Sequence, residues 1–407
     1  MKNTALKYIT LFFLLFIISI NESLACTSAI ITGKITPDGR PLLWKHRDTG
    51  EDNNRIQYFK GNKYNFIALV NSPDSTGVAW TGTNSAGFSI MNTASYNLKD
   101  DNIKEMDQEG VLMFKALSVC KNLADFEKLL KSLPKPLRVE ANFGVIDAEG
   151  GAAYFEVNNT KFVKVDVNNP KVAPAGYLVY TNYSYTGRFD EGMGYIRQQN
   201  AIDIISKRVM YGDLTPSWIF NNLSRSFYHS VLGVDLKKEE FSPEKGSGWY
   251  IDQDFIPRKS SVASIVIQGV KPGEDPLQTI MWTVLGYPPA GIAVPLWVEG
   301  GDYLPKTLIS SSESNNAFAC TKAVALKSKT FPIKRGNGSK YMNFVLIFNS
   351  NGKGYMQKLK PFENEIHKIF TPFIRDTRTN GVNKEELIKL YDKSDSLIRK
   401  AYSIIQL

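Results

Sequence analysis

Histidine, cysteine and long apolar runs are all scarce in this chain of 407 residues. Its three histidines, His46, His229 and His367, have no paired spacing, which argues against a metal site built on imidazole. No cofactor is expected. Cysteine is limited to Cys26, Cys120 and Cys320, an odd set that leaves at least one thiol unpaired within the chain. Cys120 lies on an apolar helical face in "GVLMFKALSVCKNL" and reads as a buried small residue. A Cys120–Cys320 disulfide stays open, and Cys26 would then be the odd cysteine. No segment has the roughly 20 consecutive apolar residues that a bilayer span takes, so no stable membrane span is expected. Long runs of Lys and Arg are missing too, and with them any nucleic-acid motif. The 49 basic residues exceed the 40 acidic ones by a modest margin spread along the chain, which reads as solubility and weak attraction to anions. At 43% hydrophobic the chain can bury a substantial core.

What is present begins with residues 1–25, which have the pattern of a secretory signal. Lys2 and Lys7 make a positive start and Tyr8 to Ile20 a short apolar core. Ser23 and Ala25 place small residues at the positions that a signal peptidase requires for a cut after Ala25. That cut leaves Cys26 with a free α-amino group. Lipidation, the lesser alternative, needs an aliphatic residue and then a small one ahead of the cysteine, where this chain has Ser23 and Leu24. Signal peptidase is the expected maturation partner, and the mature protein is expected to be exported to the periplasm or the extracellular space.

After Cys26 the strands "TSAIITG" and "PLLWK" flank the turn signal Pro37-Asp38-Gly39. More strands follow in "NFIALV" and "TGVAWTGTNSAGFSIMNTAS". Apolar residues three and four apart then predict helices in "QEGVLMFKALSVC" and "NLADFEKLLKSLP". A hairpin, "ANFGVIDAEGGAAYFEV", and a strand, "GYLVYTNYS", come next, and helical sequence resumes over Met193 to Tyr211 and at "SWIFNNLSRSF". The segments "SSVASIVIQG", "QTIMWTVLG", "GIAVPLWVE" and "YMNFVLIFN" read as late strands. The chain closes on a helix opened by Asn383 with Glu386 three residues on. Sheet, helices and sheet again suggest layers instead of alternating β-α-β units. With no linker and no repeat, residues 26–407 are expected to form one domain.

A cysteine at a free N-terminus supplies both nucleophile and base, because an α-amino group titrates at about 7.7 to 8.0 and can take the thiol proton. The rival is a separate Cys-His pair using His46 or His229.

"CTSAIITGKITPDGRPLLWKHRDTG" resembles the start of the N-terminal-nucleophile cysteine hydrolases: choloylglycine hydrolases, penicillin V acylases, their acyltransferase relatives and the cysteine dipeptidases. In that superfamily the second strand ends in a basic residue with an aspartate three places later, which Lys45 and Asp48 match. "TNSAGFSIMNTAS" resembles the segment whose asparagine lines the oxyanion hole, which puts that role on Asn92. "YTNYS" is similar to the segment that contributes a second asparagine, here Asn182. The family places arginine where this chain has Lys45, and lysine cannot present the same planar fork, so Arg47 next door is an alternative source of it. A later family arginine falls on Arg197, with Arg188 as the other candidate.

The resemblance implies an α+β fold, a four-layer αββα sandwich with two mostly antiparallel sheets between helical layers. It implies an exported amidohydrolase that cleaves linear, non-peptide amide C–N bonds through an acyl-enzyme on Cys26. The expected partner is a small-molecule N-acyl amide, and a homo-oligomer stays open. An acyltransferase or dipeptidase of the same superfamily, and a secreted or lipid-anchored binding protein without catalysis, are the alternatives. Each site residue also has a bland role: Asp48 as the start of a turn, Asn92 and Asn182 as satisfiers of buried backbone, and Lys45 as a solvated strand end.

Overall fold

In the computed structural model, which describes residues 25–74, 76–238 and 246–405, two antiparallel sheets lie face to face between layers of helix. The expected signal segment, apart from Ala25, lies outside the described residues. One sheet has six strands and is built from distant parts of the chain. Its members are β1 (Thr27–Ile31), β2 (Leu42–Asp48), β10 (Tyr177–Tyr180), β11 (Ser261–Gln268), β12 (Ile280–Leu285) and β13 (Val294–Leu296), in the spatial order β10-β1-β2-β11-β12-β13. The other is a seven-stranded meander in chain order. It comprises β3 (Asn54–Phe59), β4 (Phe66–Asn71), β5 (Thr81–Asn84), β6 (Ser89–Ala94), β7 (Ala141–Ile146), β8 (Ala152–Val157) and β9 (Phe162–Asp166).

Alternation along the strands explains the layers. In β4, Ile67 and Leu69 join the core between the sheets, whereas Ala68 and Val70 belong to the core on the outer face. That outer face is covered by α1 (Glu109–Val119) and α2 (Leu123–Ser132), with Phe126 edge-on to Phe143 and Phe155 at 6.0 and 5.1 Å between ring centres. Asn122 caps α2 by accepting from Asp125 N at 2.9 Å. Against the far face of the six-stranded sheet pack α3 (Tyr195–Val209), α4 (Phe318–Thr330) and α5 (Tyr355–Asn380), with α6 (Lys384–Ser403) paired to α5. The result is the αββα sandwich.

Several segments depart from the pattern in the sequence. "YMNFVLIFN" is strand only over Tyr341–Asn343, where it pairs with Trp249–Ile251. Phe344 then turns inward against Phe227, 4.9 Å away, and a short 3-10 turn replaces the strand. "GIAVPLWVE" keeps only three strand residues, and Pro295, which has no N–H to donate, sits at the sheet edge where none is needed. "SWIFNNLSRSF" is a single α-turn, Pro216–Ile219, widening into a π-turn, Phe220–Ser224. Two helices, α4 and α5, were not legible beforehand. Pro361 and Pro372 lie inside α5 and read as breakers, yet the buried stripe Leu359, Ile366, Phe370 and Phe373 carries the helix through both. Among the described residues no helix is long and apolar enough to cross a membrane.

Candidate active site

Strand register positions the site. Thr27 lies opposite His46 and Ser28 opposite Lys45, so Cys26, one step earlier, falls opposite Arg47. Directly opposed residues point to the same side of a sheet. Ser28 Oγ meets Tyr154 OH of the facing sheet at 3.1 Å, which fixes that side as the inter-sheet one. Cys26, Lys45 and Arg47 therefore share the inter-sheet face, while His46 and Asp48 face the other way.

On the inter-sheet face Lys45 Nζ donates to the Trp80 carbonyl and to Asn92 Oδ1, each at 2.7 Å. Arg47 reaches the edge of the seven-stranded sheet, donating to Asn54 Oδ1 and, at 2.8 Å, to Asn71 Oδ1. Its guanidinium lies 4.8 Å from the centre of the Trp80 ring. Lys45 is thus no solvated strand end; it is 2% exposed. Burial lowers its pKa to about 7, the charge of Cys26 works against that shift, and Arg47 adds to it. Burial also brings Arg47 down to about 10, again opposed first by Cys26. Lys45 donates to Asn92 Oδ1, which leaves Nδ2 as the donor of that side chain.

Arg197, in the first turn of α3, donates through Nη1 to the Cys26 carbonyl and to Thr27 Oγ1, and through Nη2 to Asn182 Oδ1, all at 2.8 Å. Asn182 Nδ2 is donated to the Ala94 carbonyl at 2.9 Å, so both ends of that amide are engaged. Arg188 is apart from this group: it is exposed, paired with Glu191 and bonded to the Lys99 carbonyl.

On the opposite face the Asp48 carboxylate is fully buried. Ser261 Oγ donates to Oδ1 at 2.5 Å, and the Arg258 guanidinium bonds Oδ2. The same Arg258 nitrogen donates to the Ala25 carbonyl at 2.8 Å. Asp48 is therefore a buried anchor and does not merely open a turn; its own carbonyl is also the acceptor 3.9 Å from Cys26 Sγ.

Ser261 gives its one hydroxyl proton to Asp48, so it can only accept from His46 Nε2, 2.9 Å away. That fixes a neutral tautomer with Nδ1 bare, consistent with the lack of a partner there and with a pKa lowered to about 4, chiefly by burial. His229 packs edge-on to Phe255 and His367 stacks on Trp282. None of the three histidines is bonded to Cys26.

Arg258 and Tyr96 were missed in the sequence. Tyr96 follows the Asn92 strand, and burial followed by the charge of Cys26 raises its pKa. The signal for Arg258 was its place at the head of β11, but its meaning depended on β11 lying beside β2. Cys120 and Cys320 are both buried and unbridged, with thiols pushed up by burial to about 12 and about 11. Among the described residues no group of three or more His, Cys, Asp or Glu side chains is placed to hold a metal ion.

No protein-family model and no curated protein matches the sequence. Among solved structures, the chain is similar to a Caenorhabditis elegans ortholog of N-acylethanolamine-hydrolyzing acid amidase, at 12% identity and a TM-score of 0.36 over 59% of this chain and 92% of that one. It is also similar to a conjugated bile acid hydrolase from Clostridium perfringens, at 11% identity and a TM-score of 0.40 over 64% of this chain and 89% of that one. A penicillin V acylase from Agrobacterium tumefaciens matches at 13% identity and a TM-score of 0.38 over 67% and 86% of the two chains. At such identities the chemistry has to be read from the side chains around Cys26.

Proposed function

We propose that this chain is an exported cysteine amidohydrolase that cleaves linear, non-peptide amide C–N bonds through an acyl-enzyme on Cys26. The observation that carries the reading is the convergence on one cysteine of Arg197 at its carbonyl, Lys45 and Arg47 on its side-chain face, and the Asp48–Arg258 pair at the peptide just before it. Structural cysteines sit in apolar surroundings, as Cys120 does, whereas Cys26 lies among buried cationic side chains.

Removal of the residues up to Ala25 takes away the carbonyl that Arg258 holds, and in this reading the new α-amino group takes the Asp48 carboxylate, which the same Arg258 binds, as its charge-assisted partner. The thiolate attacks the amide carbonyl, the departing nitrogen leaves with a proton from the ammonium, and water then releases the acyl group. Asn92 Nδ2 is the side-chain donor available to the oxygen that gains charge. Asn182, whose amide is engaged at both ends, acts through Arg197 to set the position of Cys26. The substrate class is a small-molecule N-acyl amide.

The test combines two measurements: sequencing of the mature N-terminus, and hydrolysis of N-acyl amino acids, bile-acid conjugates and phenoxyacetyl amides with Cys26→Ser as control. A mature chain that begins at Cys26 and loses turnover in the serine variant supports the reading. Full turnover in Cys26→Ser, or in a chain that keeps residues ahead of Cys26, overturns it.

A further inference from the structure

The Ser261 hydroxyl is the meeting point of the Asp48 carboxylate, the Arg258 backbone and His46. A hydroxyl has one proton to give and two lone pairs to fill. The proton goes to Asp48 Oδ1 at 2.5 Å, and the lone pairs accept from Arg258 N and from His46 Nε2, each at 2.9 Å. With all three valences used, the hydroxyl has no other direction to take. Its backbone is held as well: Ser261 N donates to the Arg258 carbonyl at 3.0 Å, and the Ser261 carbonyl accepts from Lys327 Nζ of α4 at 3.3 Å.

The strand is bent to put this residue there. β11 pairs with β2 through Ala263 opposite Arg47 and then Ser261 opposite Asp48, so Val262 is an extra residue in the ladder. In an unbulged ladder Val262, which has no hydroxyl, would oppose Asp48. A carboxylate turns readily about its last bond. Here Oδ1 is held by Ser261 and Oδ2 by the Arg258 guanidinium, and the turn that presents Arg258 is itself closed by the Ser261 hydroxyl and amide. His46 Nε2 is 3.8 Å from Asp48 Oδ1, beyond hydrogen-bond reach, so His46 acts on the carboxylate through Ser261.

Resting on the hydrolase reading of Cys26, we propose that Ser261 is a positioning residue of the reaction: it fixes the Asp48 carboxylate and the Arg258 turn for the α-amino group of processed Cys26, with His46 supporting its hydroxyl from behind. One Arg258 nitrogen bonds both the Asp48 carboxylate and the Ala25 carbonyl, so the carboxylate and the peptide that processing cuts share a partner. Ser261 acts through Asp48 and not on the thiol or the substrate.

The experiment is the pH profile of acetylation of the N-terminal amine, read by mass spectrometry of the N-terminal peptide, in a Cys26→Ser protein that begins at residue 26. A fixed carboxylate favours the ammonium and keeps the amine unreactive to higher pH. Adding Ser261→Ala is expected to raise the labelling rate near neutral pH by about threefold, because a loosened Asp48 favours the ammonium less. Ser261→Thr, which keeps the hydroxyl, and His46→Gln, which keeps a donor, are expected to follow the parent profile, and His46→Leu to move with Ser261→Ala. Thermal melts establish that each variant is folded. In the protein that keeps Cys26, Ser261→Ala is expected to lower kcat by about tenfold with KM unchanged. A labelling profile that stays in place in folded Ser261→Ala, or that moves as far in folded Ser261→Thr, overturns the proposal, as does an unchanged kcat in a protein whose turnover depends on Cys26. The labelling needs no substrate, so loss of the hydrolase reading through a fully active Cys26→Ser is a separate outcome.

Discussion

The Arg197 guanidinium spans 2.8 Å bonds to the Cys26 carbonyl on one side and to Asn182 Oδ1 on the other, so one planar group ties the start of β1 to the end of β10. The backbone is shaped to admit it. Gly194 has φ 86, and a Cβ built there would meet Arg197 Nη2 at 2.3 Å.

Arg197→Lys keeps the charge and loses the fork. A misplaced nucleophile costs on the order of 10² in rate, so kcat/KM is expected to fall by about that factor, with the loss in kcat. Arg188→Lys, at an exposed arginine bonded to Glu191, is expected to leave both constants unchanged. Steady-state kinetics on the two variants side by side checks the assignment.

Asn92→Ala removes the proposed oxyanion donor, for which a loss of about 10² to 10³ in kcat is the usual scale. It also takes one acceptor from Lys45. Asn182→Ala instead frees Arg197 and the Ala94 carbonyl, so it is expected to lower the melting temperature and, through Arg197, to slow acylation less than Asn92→Ala does. Single-turnover acylation rates set beside thermal melts separate the two asparagines.

The parts of this site that were legible in the sequence are those made by neighbours along the chain. β1, its Pro37-Asp38-Gly39 turn and β2 follow from alternation and turn chemistry, and Gly39 takes the positive φ of 73 that the turn needs. The cleavage pattern singled out Cys26, and the family resemblance of the same stretch singled out Lys45, Arg47 and Asp48. What stayed hidden depends on long-range pairing. Ser261 and Arg258 meet Asp48 only because β11 lies against β2. The roles of Lys45 and Arg47 were equally closed to sequence reasoning, since their partners Asn92, Asn54 and Asn71 belong to the facing sheet and Trp80 leads into its β5. The family resemblance could nominate both asparagines, but only geometry separates Asn92, with a donor to spare, from Asn182, whose amide is engaged at both ends.

Glu109, at the head of α1, accepts from Glu140 N at 3.0 Å, and burial raises its pKa from 4.5 to about 7. Between those values the folded protein binds a proton that the unfolded chain does not. Its stability contribution is therefore full below the ordinary carboxylate value and is lost as pH rises through about 7. Glu109→Gln keeps an acceptor for Glu140 N without the titration. At about 1.4 kcal/mol per unit, the wild type is expected to lose roughly 3 kcal/mol more than this variant between about pH 5 and about pH 8. Denaturant unfolding of both proteins at the two pH values measures the difference.

Arg225 and Glu363 form a two-pronged ion pair, with Nη1–Oε1 at 2.9 Å and Nη2–Oε2 at 2.6 Å, between the segment after the π-turn and α5. Both side chains are almost wholly buried. The remaining valences are filled: Arg225 also donates to the Pro288 and Gly291 carbonyls, and Glu363 accepts from Ala293 N. Burial by itself would raise the Glu363 pKa, but Arg225, together with Lys360 and Ala293 N, outweighs it and holds the carboxyl at about 2. Arg225→Met leaves that buried carboxylate with only Ala293 N and the partly exposed Lys360, 3.2 Å away, and breaking a buried pair from one side typically costs about 3 to 5 kcal/mol. The deficit is expected to shrink as pH falls through the ordinary carboxylate range, because the stranded group takes up a proton while the paired one in the wild type does not. Removing both partners, in Arg225→Met with Glu363→Met, is expected to recover much of the loss at neutral pH, since neither charge then remains buried. A double-mutant cycle by denaturant unfolding at neutral and acidic pH reads the coupling, and a single variant as stable as the double one would show that the pair does not hold α5 against the six-stranded sheet.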